Sequence, residues 1–383
     1  MRAVVQNMAH DGAARRGLAV GHGPRYGVDG DGGGAQHEGV LDPIEGILAV
    51  LDRASSTGTN KFGLLLALIE LAPTVGADRG LSFETLAATL IALHWEHVTP
   101  FRASAPRQVT SQNRELTVLR VVRALRATLP PEKAHWPFVR ARAQLSSQAW
   151  ADAVAAVARD TARNPIALLQ TLDRVQHAFL YTVEGRVVRL NPGVAETLTR
   201  FGPVLRELVE ARFVQHVVTA NPAWRREAIE PQLRAHLFGA TREMPGAAMR
   251  KAMAEMQDGR CLYTGRPLRD DAPVDHVLPW ARVRVSTLGN FLMTDRQTNT
   301  RKRDLLLGEA PLTRWLAHLD ARRSGLDALA RAHDWPFERD AVVQRALALY
   351  RGLAPGAVLW SAEGSHTATA ADLRALCERL EAA

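Results

Sequence analysis

Apolar residues recur at helical spacing through most of the chain after position 40. In LSFETLAATLIALHWEHV, Leu86, Leu90 and Leu93 fall on one face, and Ser82 stands where an N-cap residue is expected. The same spacing continues in NKFGLLLALIELA, in NRELTVLRVVRALRATL, in PIALLQTLDRVQ and in the tail after position 311. The pattern therefore predicts a chain that is mainly α-helical.

Two segments depart from helical spacing. FLYTVEGRVVRL has β-rich runs on both sides of Glu184–Gly185, which predicts a β-hairpin near residues 179–190. In the second segment, RCLYTGRPL and APVDHVLPW favour two strands paired as a hairpin. A short helix is expected over residues 295–307, with Thr294 or Asp295 as its N-cap. The predicted local order is strand, strand, loop, helix.

These patterns divide the chain into four regions. Residues 1–40 hold 10 of the 28 glycines and show no helical or strand period, which predicts disorder. We expect a predominantly helical domain over residues 41–243, the strand-and-helix segment within residues 244–310, and a helical C-terminal region over residues 311–383.

Composition limits the cellular compartment and the classes of binding partner that we expect. The formal net charge of +8 and the isoelectric point near 10.1 favour a polyanionic partner, although an Arg-rich and Ala-rich genome would have the same effect. Two cysteines favour a reducing compartment. Because no apolar run suits a membrane span or a signal peptide, we expect a cytoplasmic protein with no membrane partner.

A charged pair, Asp275–His276, interrupts the apolar segment VDHVLPW. Such a pair either satisfies itself in a core or holds a metal ion and a water molecule. Neighbouring strand residues point to opposite faces, so the two side chains can share a site only if the strand ends or twists there. Pro279, three residues later, favours an ending.

The predicted helix offers a second half of such a site. Asn299, Lys302 and Arg303 lie at positions i, i+3 and i+4, hence on one face that would lie across from the Asp275–His276 strand. A carboxylate and a carboxamide oxygen suit Mg²⁺, and a histidine beside them can act as a general base. Residues 260–304 also carry nine Arg or Lys against five Asp, which suits a phosphate-rich substrate.

The segments VDHVLPW, LGNFL and TNTRKRD resemble the HNH endonuclease domain of the His-Me finger (ββα-metal) superfamily. The spacing from His276 to Asn290 to Asn299 is similar to that in the HNH domain of the RNA-guided CRISPR nucleases. The resemblance covers about 45 of the 383 residues. It implies a small ββα-metal finger set in a mainly α-helical protein.

The resemblance also implies roles for individual residues. Asp275 and Asn299 would bind Mg²⁺ or Mn²⁺, His276 would activate the attacking water, and Asn290 would brace the loop that carries the histidine. Lys302 matches a basic position near the phosphate. The candidate nucleic-acid contacts are therefore Arg282, Arg284, Arg301, Lys302 and Arg303, although solvent exposure alone would also explain Arg282 and Arg284.

The chain departs from many HNH relatives at three positions. Those relatives carry two Cys–x–x–Cys pairs that bind a structural zinc ion. Here Cys261 is kept, but Thr264, Asp295 and Thr298 occupy the other three places. A tetrathiolate zinc site is therefore excluded, and we expect no structural zinc.

The resemblance implies a metal-dependent endonuclease that acts on DNA. The helical regions around the finger, with NKFGLLLALIEL and LYRGLAPGAVLW, are similar in style to bacterial HNH proteins associated with defence against foreign DNA, and they offer surfaces for a protein partner. The alternative is a non-catalytic nucleic-acid-binding or assembly protein that keeps the fold as a scaffold. The intact set of Asp275, His276, Asn290 and Asn299 argues against that alternative.

Overall fold

A computed structural model describes residues 41–53, 58–76, 78–109, 114–225, 227–239 and 243–383. The predicted disorder of residues 1–40 lies outside these described residues. The described chain is mostly helical with small sheets, which confirms the mainly α-helical prediction. Among the described residues, no helix is both long enough and apolar enough to cross a membrane.

The first region is a helical assembly around one apolar core. Helix α2 is apolar on all sides and buries nine of its 12 residues, so it lies at the centre. Ser82 caps α3 by accepting a hydrogen bond from the Thr85 backbone N–H, as its position predicted. The helices are α1 (Pro43–Arg53), α2 (Asn60–Leu71), α3 (Phe83–Leu93), α4 (Thr117–Ala127), α5 (Phe138–Ala141), α6 (Ser147–Arg163), α7 (Pro165–Leu168), α8 (Val194–Ala220) and α9 (Glu230–Phe238).

The predicted hairpin near residues 179–190 is confirmed. Strand β4 (Tyr181–Glu184) pairs antiparallel with β5 (Val187–Leu190), and β1 (Gly80–Ser82) pairs with the other edge of β5. Gly185 in the turn has φ 61°, a conformation that glycine adopts without strain. A second, smaller hairpin of β2 (Thr171–Leu172) and β3 (Val175–Gln176) replaces the end of the helix expected over PIALLQTLDRVQ.

The strand-and-helix segment, which we call the finger, differs from its predicted pairing. Strand β6 (Val274–His276) pairs antiparallel with β7 (Phe291–Met293) and not with the RCLYTGRPL segment. That segment forms a tight turn in which Gly265 N–H donates to Cys261 O, at 2.7 Å, and only an isolated bridge joins Arg260 to Pro267. The predicted hairpin between the two segments is therefore wrong.

The finger helix is shorter than expected. Helix α11 (Arg296–Lys302) begins at its N-cap Asp295, which is one of the two predicted caps. It ends before Arg303, whose φ is 50°, and does not continue to position 307. Leu306–Leu307 instead forms strand β8, because these two apolar residues are buried in a small sheet.

The C-terminal region packs directly on the finger. Strand β8 runs parallel to β9 (Val358–Ser361), which pairs with β10 (Gly364–Thr367), so the tail is not wholly helical as its spacing suggested. Apolar residues from Cys261 to Leu380 share one core, so no core boundary falls at position 310. The helices are α10 (Ala247–Met256), which precedes the finger, and α12 (Glu309–Ala321), α13 (Arg323–Ala332), α14 (Arg339–Arg351) and α15 (Ala370–Glu381), which follow it.

Two histidines lie inside the first core. His94 and His97 are buried with ring centroids 4.7 Å apart. His94 Nδ1 lies 2.8 Å from Leu90 O and must donate to it, because a carbonyl oxygen only accepts. Burial lowers the pKa of His94 to about 4 and lowers the pKa of His97 well below its usual value. Both side chains are therefore neutral in the folded protein near neutral pH.

We expect these histidines to make the fold sensitive to acid. Because the unfolded state binds a proton at the ordinary pKa of 6.5, the stability from neutral His94 is present above that pH and is lost as the pH falls toward about 4. The loss from His94 should reach about 3 kcal/mol. Urea unfolding at a series of pH values will measure it.

The matched variant is His94→Asn, which does not titrate and whose amide can still donate to Leu90 O. Its free energy of unfolding should depend less steeply on pH than that of the wild type. The difference between the two curves also removes the opposite contribution of Glu243, whose pKa burial raises to about 6. Parallel curves would contradict the argument.

Candidate active site

The finger brings the Asp275–His276 pair to the end of a short strand. Asp275 lies opposite Leu292 in β7, and His276 lies opposite Phe291. Strand β6 ends at His276, and the next residue, Val277, donates its backbone N–H to Asn290 O at 2.9 Å. The strand therefore ends where the sequence predicted, three residues before Pro279.

Asn290 holds the loop that follows this strand. Its Oδ1 accepts a hydrogen bond from Leu278 N–H at 2.7 Å, and its Nδ2 donates to Leu278 O at 3.2 Å and to Val285 O at 3.0 Å. The side chain is fully buried. These three bonds tie both ends of the loop 278–285 to one residue, which is the bracing that the resemblance implies for Asn290.

Asp275 is held by two side chains from distant parts of the chain. Lys302 Nζ lies 3.0 Å from Asp275 Oδ2 and also donates to His276 O at 2.8 Å. Tyr263 Oη donates to Asp275 Oδ2 at 2.8 Å. Burial, and next the negative charge of Asp275, raise the pKa of Tyr263 well above its usual value. The tyrosine therefore stays a neutral donor.

The position of Lys302 corrects the sequence analysis. We expected its side chain on a basic face across from the Asp275–His276 strand and in contact with nucleic acid. It does lie across from that strand, but it is fully buried. The last turn of α11 packs across the end of β6, and this contact draws the ammonium group inward to Asp275. Tyr263 was not among the predicted site residues, because only the fold brings the RCLYTGRPL turn to Asp275.

The His276 ring is enclosed by aromatic side chains. It contacts the Phe291 ring edge to face, with centroids 4.9 Å apart, and the Trp280 ring at 5.4 Å. Only 1% of His276 is exposed. The aromatic contacts fix the ring plane, and the ring is shielded from solvent.

Asn299 completes the candidate ligand set. It lies on α11 one turn before Lys302 and is half-buried. Among the described residues, no group of three or more His, Cys, Asp or Glu is placed to hold a metal ion. One carboxylate and one carboxamide suit a divalent ion that keeps most of its water, so the donor chemistry fits Mg²⁺ or Mn²⁺. The Lys302 ammonium competes with such an ion for Asp275.

The arginines divide into two groups. Arg284 Nη1 donates to Glu210 Oε1 at 3.1 Å and to Phe238 O at 2.8 Å, so its side chain joins the finger loop to α8 and α9. The placement of Arg284 does not support the prediction that it contacts phosphate, because its guanidinium, although 30% of the side chain is exposed, is already paired with the buried Glu210 carboxylate. Arg282, Arg301 and Arg303 are exposed.

A hydrogen-bonded cluster stands at the positions that the resemblance aligns with a zinc site. Asp295 Oδ2 accepts from Thr264 Oγ1 at 3.3 Å and from Thr298 Oγ1 at 2.6 Å, and Cys261 Sγ lies beside them, 3.3 Å from Thr294 Oγ1. Partial burial opposes ionisation of Asp295, but the hydrogen bonds outweigh it and lower its pKa. The carboxylate therefore joins the turn to α11.

Comparison with known proteins adds no relative. No protein-family model matches the chain, and neither the curated proteins nor the solved structures include a significant match.

We expect Lys302→Met to destabilise the protein by about 3–5 kcal/mol, because it leaves the Asp275 charge buried without its cation. Arg301→Met changes the neighbouring exposed residue on the same helix and should stay within about 0.5 kcal/mol of wild type. Urea unfolding of the two variants measures the difference. Equal stabilities would show that the ion pair does not hold α11 to β6.

Proposed function

We propose that the chain is a metal-dependent endonuclease that hydrolyses phosphodiester bonds in DNA. The observation that carries this proposal is the finger itself: Asp275 and His276 end a strand, Asn290 braces the loop that follows, and α11 lies across that strand with Asn299 one turn from the contact. This is the ββα order that the resemblance to HNH domains implies.

In this proposal His276 accepts the proton of the attacking water. Its ring plane is set by Phe291 and Trp280, and its backbone carbonyl is fixed by Lys302 Nζ. Asp275 and Asn299 would hold Mg²⁺ or Mn²⁺, which when bound would stabilise the negative charge that develops on the phosphate and the leaving oxygen. The exposed arginines Arg282, Arg301 and Arg303 would contact the phosphate backbone.

Catalysis then requires a local rearrangement. Asp275 and His276 are 5% and 1% exposed, and Trp280 lies against the imidazole. The Trp280 side chain must move before a phosphate can approach, and Asp275 must exchange part of its contact with Lys302 for the metal. Binding of metal and of DNA would supply the free energy for this change.

The remaining features of the proposal concern setting and partners. We place the protein in the cytoplasm, where DNA and Mg²⁺ are available. The helical regions on both sides of the finger offer surface for a protein partner that controls cleavage. A role in defence against foreign DNA rests on the resemblance in style of these helical regions to bacterial HNH proteins.

One observation favours the alternative, a non-catalytic nucleic-acid-binding or assembly protein with an HNH-like scaffold. Asp275 forms a buried ion pair with Lys302 of α11, as expected if Asp275 serves only to hold that helix in the core. The intact histidine and Asn299 have no evident use in that case. The variant His276→Ala separates the two functions, because it removes the imidazole.

We expect supercoiled plasmid to be cut in the presence of Mg²⁺ or Mn²⁺ and not in EDTA. His276→Ala should lower the rate by about 10² to 10⁴-fold, because it removes the general base. Its thermal unfolding and its DNA binding should stay close to wild type. Absence of cutting under every common divalent metal, with plasmid, linear duplex and single strands, sinks the nuclease proposal, whereas an unfolded His276→Ala favours the scaffold.

Asn299→Ala and Arg303→Ala should differ in what they change. Asn299→Ala removes a metal ligand, so cleavage should need more metal while DNA binding in EDTA is unchanged. Arg303→Ala removes an exposed charge, so binding should weaken on all sequences and the salt slope should fall by about one. Cleavage against metal concentration and DNA binding against salt measure these effects. A kinetically silent Asn299→Ala contradicts its role as a ligand.

A further inference from the structure

A cavity of about 200 Å³ lies between the first helical region and the finger loop. Helices α3, α5 and α9 line it on one side, and Trp280, Arg284 and Ser286 of the finger loop line it on the other. Its apolar walls are formed by Leu93, Trp95, Phe138, Leu237, Phe238 and Trp280. The four aromatic side chains among these residues, those of Trp95, Phe138, Phe238 and Trp280, favour a flat apolar ligand.

Three carboxylates line this cavity, those of Glu70, Glu96 and Glu243, and Glu70 is paired with Arg206. Glu243 Oε2 is buried and accepts no hydrogen bond from any described residue. Burial raises the pKa of Glu243 to about 6; the charge of Arg140 opposes this rise, and that of Glu96 adds to it. Burial also raises the pKa of Glu96, and the Arg126 guanidinium, 3.7 Å away, opposes that rise. Glu243 is therefore an acceptor with unused hydrogen-bonding capacity inside the cavity.

The cations of the lining are already engaged. Arg206 pairs with Glu70, and Arg284 pairs with the buried Glu210. Neither guanidinium is left to receive an anion, whereas Glu243 has an oxygen that is both desolvated and unused. The charge pattern thus favours a ligand that donates hydrogen bonds or carries positive charge, and it disfavours a phosphate or a carboxylate.

We propose that this cavity is a binding site for a small planar aromatic ligand that carries an amino or amidine group. The ring lies against the walls formed by Trp95, Phe138 and Trp280. The Glu243 carboxylate, whose buried Oε2 has no hydrogen-bond partner, turns toward the cavity to accept from the amino or amidine N–H groups. Such a contact joins a charge-assisted hydrogen bond to apolar burial in one small site.

The site also touches the candidate active site through one side chain. Trp280 lines the cavity and packs against the His276 ring, with centroids 5.4 Å apart. If the proposed nuclease function holds, a ligand in the cavity therefore contacts the residue that must move to admit substrate. Binding itself does not depend on that function.

Isothermal titration calorimetry of the full chain with benzamidine tests the site, since benzamidine is planar, aromatic and a bidentate donor to carboxylates. At mildly alkaline pH we expect saturable binding to the wild type. Glu243→Gln should weaken it about tenfold, because it replaces a charge-assisted hydrogen bond by a neutral one. Glu132→Gln, which alters an exposed carboxylate on a 3₁₀ turn, should leave the affinity unchanged. Benzoate, with the opposite charge, should not bind.

The proposal fails if benzamidine shows no saturable binding at millimolar concentration, if Glu243→Gln binds it as tightly as the wild type, or if benzoate binds equally well. Should Glu243→Gln unfold, Glu243→Asp takes its place, because it keeps the charge but draws the carboxylate back from the cavity, and an unchanged affinity in that variant overturns the proposal. Calorimetry requires no DNA and no divalent metal, so the outcome is independent of whether the chain cleaves DNA.

Discussion

The buried contact between Lys302 and Asp275 is the interaction on which the finger depends. It joins the last turn of α11 to the end of β6, and Tyr263 adds the RCLYTGRPL turn to the same carboxylate. A buried ion pair repays the cost of removing both charges from water only when further hydrogen bonds satisfy it. Lys302 meets this condition by also donating to His276 O. The contact thereby fixes the backbone of the proposed general base while it occupies the carboxylate of the proposed metal site.

Helix α11 is held at both ends by side-chain contacts. A seven-residue helix is too short to be stable alone in water. At its first turn Asp295 accepts from the Thr298 backbone N–H and from the hydroxyls of Thr264 and Thr298. At its last turn Lys302 anchors it to β6. Both ends are thus fixed by polar contacts between the helix and the rest of the finger.

The helical regions do more than flank the finger. Arg284 reaches from the finger loop to Glu210, a carboxylate of α8 that is 1% exposed and that also receives two hydrogen bonds from Arg234. The loop between Pro279 and Arg284 is therefore held at its far end by the first helical region and at its base by Asn290. Trp280 lies between these two anchors, against His276 on one side and against the cavity that contains Glu243 on the other. A movement of Trp280 that opens the candidate site therefore changes the conformation of this loop.

The sequence by itself determined the features that depend on neighbours in the chain. Helical spacing placed α2 and α3, Ser82 and Asp295 were recognisable as caps, and Glu184–Gly185 marked a hairpin, because each signal is written within a few residues. The roles of Asp275, His276, Asn290 and Asn299 were predicted from the resemblance to HNH domains and stay predictions. The tertiary structure alone decided that β6 pairs with β7, that Lys302 is buried and that Arg284 binds Glu210. The Lys302–Asp275 contact joins residues 27 positions apart, and the Arg284–Glu210 contact joins residues 74 positions apart. Strand β6 pairs with β7 although the RCLYTGRPL segment is nearer in the chain. These features depend on which distant surfaces pack together, and no local pattern encodes that.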